Sequence, residues 1–418
     1  MNNSNNKSEQ LPIAEFKNGF TLEQSKQFRN NRELSSWLGG GDASVWVNLK
    51  ATEAFPSTAY VPNRKAVKEL PKEINPEIGK LVTETNNLGE ISLDDFMVHP
   101  DSRAQAFMVI HKGKIVYENY PAMQPTDSHI WMSTAKVLPS LIIDLLIAEG
   151  KMDESKTVGE YLPVFKDTAW ENISVLDVLD MTTGLNIEEL QNGTWYAPGS
   201  IAQRMLSAEF GLPYEGKVED FTEVLKDAKK VREAGEQYDY SSVATQVLVL
   251  LAESVTGERW AQTVDKRIWS KMGVEAPLLV HTTPDGIAMG HGMLSSRLTD
   301  FARFGMLYTP SWNKVTDEKI VSDNILKRIQ TGTRNLDFFM KGSGPLRVSQ
   351  LNDDTMIGSS RQWDSVWTDG DLFKSGFQQQ GLYVSPKRDL VIVHFSVNGP
   401  DDSIKHFLRP LATSGLFD

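Results

Sequence analysis

The stretch HIWMSTAKVLPSLIIDLLIAEGKM, residues 129–152, decides how this chain is read. From Val137 to Ala148 it is an apolar run interrupted by Pro139 and Asp144. That suits a buried helix and falls well short of the roughly 20 residues that span a bilayer. Glu149-Gly150 supplies a glycine C-cap. Ser133 and Lys136 stand at the entrance, three residues apart, and so share one helix face. A serine hydroxyl is a poor nucleophile until a base takes its proton. A lysine amine can do so only when neutral, and burial lowers its ordinary pKa of about 10.4. Free N–H groups at a helix start can also bind an oxyanion. The same spacing recurs at Ser4/Lys7 in a polar tail and at Ser311/Lys314 in a loop, but only Ser133/Lys136 opens an apolar helix. The bland alternative is an N-cap serine beside a solvated lysine. Pro139 predicts a kink in the helix.

Upstream, AFMVIHKGKIVYENY (106–120) reads as a β-hairpin turning at His111-Lys112-Gly113-Lys114. Downstream, helical spacing marks 173–186, 241–257, 258–273 and 297–308, and WLGGGDAS (37–44) reads as a loop. Strands return over 362–398, and a terminal helix follows. This order predicts an α/β fold: an antiparallel β-sheet flanked by helices, plus a mostly helical domain. The expected boundaries are an α/β domain from 31–165 and 286–418, and a helical domain at 166–285. Residues 1–30 are polar and expected to be partly disordered.

Composition removes several function classes. There is no cysteine, which excludes thiolate chemistry and disulfides. A net charge of -12 argues against nucleic acid and against anionic membranes as partners. The N-terminus MNNSNNKSEQLP is no signal peptide in pattern, so a cytoplasmic location is expected, or a periplasmic one if a leader was removed. His111, His281 and His291 lack metal-ligand spacing, so neither metal nor cofactor is expected. G-x-S-x-G, the elbow of α/β-hydrolases, does not occur.

Two further motifs follow the first. Tyr240-Ser241-Ser242 precedes an apolar helix, where a phenol can relay a proton between nucleophile and leaving group. Lys374-Ser375-Gly376 lies on a candidate strand, where a lysine and a hydroxyl can hold a carboxylate. The order S-x-x-K, Tyr motif, K-[ST]-G resembles the signature of penicillin-recognising serine enzymes. Over about residues 95–400 the chain resembles the serine β-lactamase and penicillin-binding-protein-like superfamily, on its class C side. In pattern it is most similar to 6-aminohexanoate-dimer hydrolases and related carboxylesterases. The grounds are Tyr240-Ser241-Ser242, WYAPGS (195–200) and the Gly-Phe-x-x-Gln run 376–380.

The resemblance implies a β-lactamase/transpeptidase-like fold and an acyl-enzyme mechanism. Ser133 would be the nucleophile, Lys136 its base, and Tyr240 the group that protonates the leaving atom. The oxyanion hole would be the backbone N–H groups of Ser133 and Phe377. Lys374, Ser375, Gly376, Ser242 and Tyr196 would contact substrate. Ser242 stands where most class C enzymes carry asparagine, which favours an esterase or amidase over a β-lactamase. Retention of Lys374 suggests that the small ester or amide substrate bears a carboxylate. Two alternatives stay open: a D,D-peptidase or β-lactamase acting on cell-wall peptides or β-lactams, and a catalytically silent penicillin-binding-like sensor. The oligomeric state is not legible in the sequence.

Overall fold

The computed structural model describes residues 10–31, 33–191, 193–334, 336–399 and 401–417. Met132–Lys136 form a short 3₁₀ turn that runs directly into helix α1, Val137–Ala148. Pro139, where a kink is expected, falls in the first turn of the α-helix that begins at Val137. There the missing N–H has no intrahelical acceptor to lose. Every residue from Val137 to Asp144 is buried, and α1 packs against helix α2, Ser242–Thr256. Gly257 closes α2 in the left-handed region at φ 67°. Asp144, the one charge inside α1, is buried but neutralised by Arg361 at 2.8 Å and Arg328 at 3.0 Å.

The main sheet has seven strands. They are β1 (Ala104–His111), β2 (Lys114–Asn119), β3 (Met356–Ser360), β4 (Trp363–Trp367), β5 (Leu372–Gly376), β6 (Gln380–Ser385) and β7 (Leu390–Ser396), in the order β3-β4-β5-β6-β7-β1-β2. All neighbours are antiparallel. The predicted hairpin is the pair β1-β2, and Lys112 and Gly113 both take positive φ (50° and 77°), as a two-residue type I′ turn requires. Strand β7 pairs with β1, so the last strand of this sheet in chain order sits beside its first. Strands β5, β6 and β7 are buried along their whole length, since both faces are covered. Helix α3, Leu298–Met306, lies on one face, with Phe301 stacked on Phe395 at 5.6 Å.

A second sheet, ordered Ser57–Val61, Leu278–Thr282, Leu294–Ser296, His129–Ile130, delivers the nucleophile turn. Its edge strand His129–Ile130 continues into Trp131, whose N–H donates to Leu294 O at 2.7 Å. The 3₁₀ turn therefore sits between this edge and strands β5 and β6 of the main sheet, against which it packs.

The polar N-terminus departs from expectation. Residues 1–9 of the segment expected to be disordered lie outside the described residues, but Ile13–Asn18 and Leu22–Asn30 are helical. Thr21 and Gln24 form a reciprocal capping box on the second of these. Ile13 and Phe16 are buried with Val45, Ala122 and Val397. Few apolar side chains suffice here because they dock into an existing core instead of building one. Arg103, almost buried, ties the segment down through Leu11 O (3.0 Å) and Asp42 (3.3 Å). Among the described residues no helix is long and apolar enough to cross a membrane. Phe16→Ala is expected to cost about 3 kcal/mol, seen as a lower urea midpoint at unchanged slope. An unchanged midpoint would mean that the segment adds nothing to the fold.

Candidate active site

Four elements place the site at the floor of a cleft of about 1380 Å³. Its walls include Ser133, Tyr240, Ser375, Gly376 and Phe377, together with Trp195 and Tyr196 of the WYAPGS loop. Part of the lining is N-terminal, from Phe28 through Leu34 and Leu38 to Ala43.

The nucleophile turn is clamped at its root. The indole of Trp131 donates to Ser296 Oγ at 2.9 Å and packs on Phe301 at 4.4 Å. Trp131 is fully buried and so does not line an acyl pocket; it anchors the turn. Met132, immediately before Ser133, takes φ 49°, a left-handed conformation that costs a non-glycine residue about 1 kcal/mol. Gly376 passes so close that a Cβ there would lie 2.8 Å from Trp131 O. Only glycine lets β5 approach the backbone that presents Ser133.

Lys136 is fully buried, and its Nζ meets Ser133 Oγ at 3.0 Å, Ser242 Oγ at 2.7 Å and His291 O at 2.9 Å. Burial draws its pKa down to about 8, against the upward pull of Glu189 and Asp364. The partners fix the geometry of the neutral amine, which has two N–H groups and one lone pair. His291 O can only accept. Ser242 gives its own hydroxyl proton to Glu189, so its oxygen also accepts from Lys136. The lone pair is left for the hydroxyl of Ser133. Tyr240 completes the set: it lines the same cleft beside Ser133, and its ring centroid lies 5.3 Å from Lys136 Nζ. Burial holds the phenol protonated, well above its ordinary pKa.

Glu189 carries no motif, and the sequence does not single it out. Its carboxylate takes Ser242 N–H at 2.8 Å, the Ser242 hydroxyl, and Tyr196 O–H at 3.0 Å, and it stands 3.9 Å from Lys136 Nζ. It thereby links the cleft-lining loop to the base. His291 is likewise structural and functional at once: its carbonyl holds Lys136, and its Nε2 meets Glu209 at 2.8 Å.

Two of the expected substrate contacts need correction. Lys374 does not face the cleft. It is fully buried, donates to Asp364 at 2.6 Å and lies 4.6 Å over the ring of Tyr240. A carboxylate in the cleft cannot displace that partner without unburying both ions. Ser242 is also behind the surface, with both hydrogen-bonding functions used by Lys136 and Glu189. Ser375 and Gly376 do line the cleft, although the Ser375 hydroxyl donates to Asp364 at 2.6 Å. Phe377 sits at the mouth, 37% exposed. The next two residues, Gln378 and Gln379, take φ 58° and 71°. Gln378 is held by the N-terminal segment, through Asn48 Nδ2 at 2.8 Å and Trp37 O at 3.4 Å.

Residues 93–408 match the family model described as Beta-lactamase. The chain belongs to this family. Among curated proteins it is 27% identical over 307 residues to the 6-aminohexanoate-dimer hydrolase of Paenarthrobacter ureafaciens, covering 72% of this chain and 74% of that protein. Among solved structures, one described as "Putative 6-aminohexanoate-dimer hydrolase from Bacillus anthracis" superposes with a TM-score of 0.75 at 23% identity, over 92% of this chain and 96% of that one. A class C beta-lactamase superposes with a TM-score of 0.54 at 14% identity, over 75% and 91%. These neighbours carry the β-lactamase/transpeptidase-like fold expected from the motifs.

Activity is expected to rise with pH through about 8 as Lys136 loses its proton, since the ammonium form cannot accept one. Glu189→Gln removes a negative charge that favours the ammonium, so the midpoint of the acid limb in kcat/KM should move to lower pH. An unmoved midpoint would detach Glu189 from the base. Gly376→Ala should lower kcat by about 100-fold through displacement of the Ser133 turn, and near-normal turnover would show that the close approach is unnecessary.

Proposed function

We propose that this member of the beta-lactamase family hydrolyses a linear amide or ester through an acyl-enzyme on Ser133. The observation that carries the reading is the hydrogen-bond arrangement of Lys136. A buried amine whose two N–H groups are taken by His291 O and Ser242 Oγ has its lone pair left for one hydroxyl. Lys136 takes the proton of Ser133 as Oγ attacks the scissile carbonyl. The backbone N–H groups of Ser133 and Phe377 receive the developing oxyanion, a contribution typically of several kcal/mol. Tyr240 protonates the departing nitrogen or oxygen and recovers its proton from Lys136. Water then repeats the sequence on the acyl-enzyme with the same base.

Two features favour a linear substrate over a β-lactam. Ser242 replaces an asparagine amide with a hydroxyl already occupied by Glu189 and Lys136, so it offers a β-lactam side chain nothing. The cleft is also larger than the roughly 300–1,000 Å³ of ordinary small-molecule pockets, and its N-terminal wall is largely uncharged. With Lys374 paired to Asp364, a carboxylate on the substrate is no longer a requirement of the site. The 6-aminohexanoate dimer, named in the descriptions of the relatives above, is a fitting first candidate in its linear form.

An intact-mass adduct with a fluorophosphonate is expected, lost in Ser133→Ala. Turnover is expected for p-nitrophenyl esters or the linear dimer, and not for nitrocefin or a D-Ala-D-Ala peptide. Nitrocefin or D-Ala-D-Ala turnover would move the assignment to a β-lactamase or D,D-peptidase. No adduct with either a fluorophosphonate or a labelled penicillin would leave a silent sensor.

A further inference from the structure

Tyr240 is ringed by charge from several elements. Helix α4, Gly344–Leu351, inserts Arg347 so that its guanidinium carbon lies 4.1 Å from the centroid of the Tyr240 ring. Lys374 Nζ lies at 4.6 Å and Lys136 Nζ at 5.3 Å from the same centroid. Opposing them are two carboxylates, Glu189 and Asp364, both of which disfavour ionisation of the phenol. Tyr238 adjoins Arg347 on its other side. Of the three cations, both lysines can lose a proton, whereas the guanidinium cannot.

Arg347 is only 3% exposed, yet it is not spent on a tight ion pair. Its Nη1 meets Gln350 Oε1 at 2.8 Å and Ser375 Oγ at 3.4 Å, and stands 4.0 Å from Asp364. Asp364 is itself occupied by Lys374 and by the N–H and hydroxyl of Ser375. Nε and Nη2 of Arg347 are buried without a hydrogen-bond acceptor. Burying a guanidinium this way is costly unless its charge acts on its neighbours, and those are Asp364, Tyr238 and the Tyr240 ring, over whose face it lies.

We propose that Arg347 is a positioning residue that offsets the negative charge on Tyr240 while its phenol lends a proton to the leaving group. The inference rests on the reading of Ser133, Lys136 and Tyr240 given above. In acylation the Oγ–C bond forms as the Ser133 proton moves to Lys136. The bond from carbon to the leaving nitrogen or oxygen breaks as the Tyr240 proton moves to that atom. Until the Lys136 ammonium returns a proton, Tyr240 is a phenolate between two carboxylates. A permanent cation across its ring face lowers the cost of that interval at every working pH. A leaving group that departs as a stable anion needs no proton and gains little from this help.

The test uses two esters of one acyl group, p-nitrophenyl butyrate and ethyl butyrate, with kcat/KM reporting acylation. Arg347→Gln is expected to lose at least about tenfold more on ethyl butyrate than on the activated ester, and Arg347→Lys to recover most of the difference. In a Tyr240→Phe background the same substitution should add less than about threefold, because its effect passes through the phenol. Parallel losses on both esters, or full additivity with Tyr240→Phe, would overturn the inference. Arg347→Met carries the same comparison should the Gln variant not fold. Fluorophosphonate labelling of the wild-type protein runs alongside. Labelling with parallel losses removes this inference alone, and absence of labelling removes the acyl-enzyme reading beneath it.

Discussion

The site depends on an amine kept out of water. Lys136 is reached by no solvent, and burial alone would favour its neutral form. Left there without partners it would be a liability, since an unsatisfied buried amine costs a few kcal/mol. His291 O and Ser242 Oγ remove that cost and in doing so orient the remaining lone pair. Glu189 works against burial from 3.9 Å and keeps the base from becoming too weak to take a proton. Three elements far apart in sequence must therefore meet at one nitrogen: the loop around Glu189, the start of α2 and the turn before Leu294.

Presentation of the nucleophile is a separate matter of backbone geometry. Ser133 follows a left-handed methionine, a conformation that a free chain rarely adopts. Trp131, locked to Ser296 and packed on Phe301, over-determines it from one side. Strand β5 does so from the other, where Gly376 permits contact closer than any side chain allows. Trp131 also packs on Phe304 of α3, so the turn is rooted in the core beneath the cleft.

Much of this was legible in the sequence where the signal is local. The hairpin β1-β2, the terminal strands, α2 with its glycine cap and the three motifs all depend on near neighbours in the chain. What escaped the reading is set by tertiary neighbours. Glu189 and Arg347 sit in stretches without periodicity or motif, and nothing nearby distinguishes them from solvated charges. The motif alone makes Lys374 a substrate ligand; its partner, Asp364, lies on the adjacent strand β4, and strand pairing is invisible to a motif. The polar N-terminus hides its two helices for a related reason. Ile13 and Phe16 are too few to form a core but enough to join one. The capping pair Thr21 and Gln24 was the available signal.

The N-terminal segment lies before the stretch that defines the family, yet it touches the chemistry twice. Its side chains form one bank of the cleft, and Asn48 grips the Gln378 side chain one residue beyond Phe377. Gln378 is held by the Asn48 side chain and the Trp37 backbone carbonyl, so side-chain changes along the bank can reshape which molecules are admitted while the loop behind the carbonyl stays fixed. Selectivity can then be retuned on that bank while the proton-transfer machinery keeps its geometry.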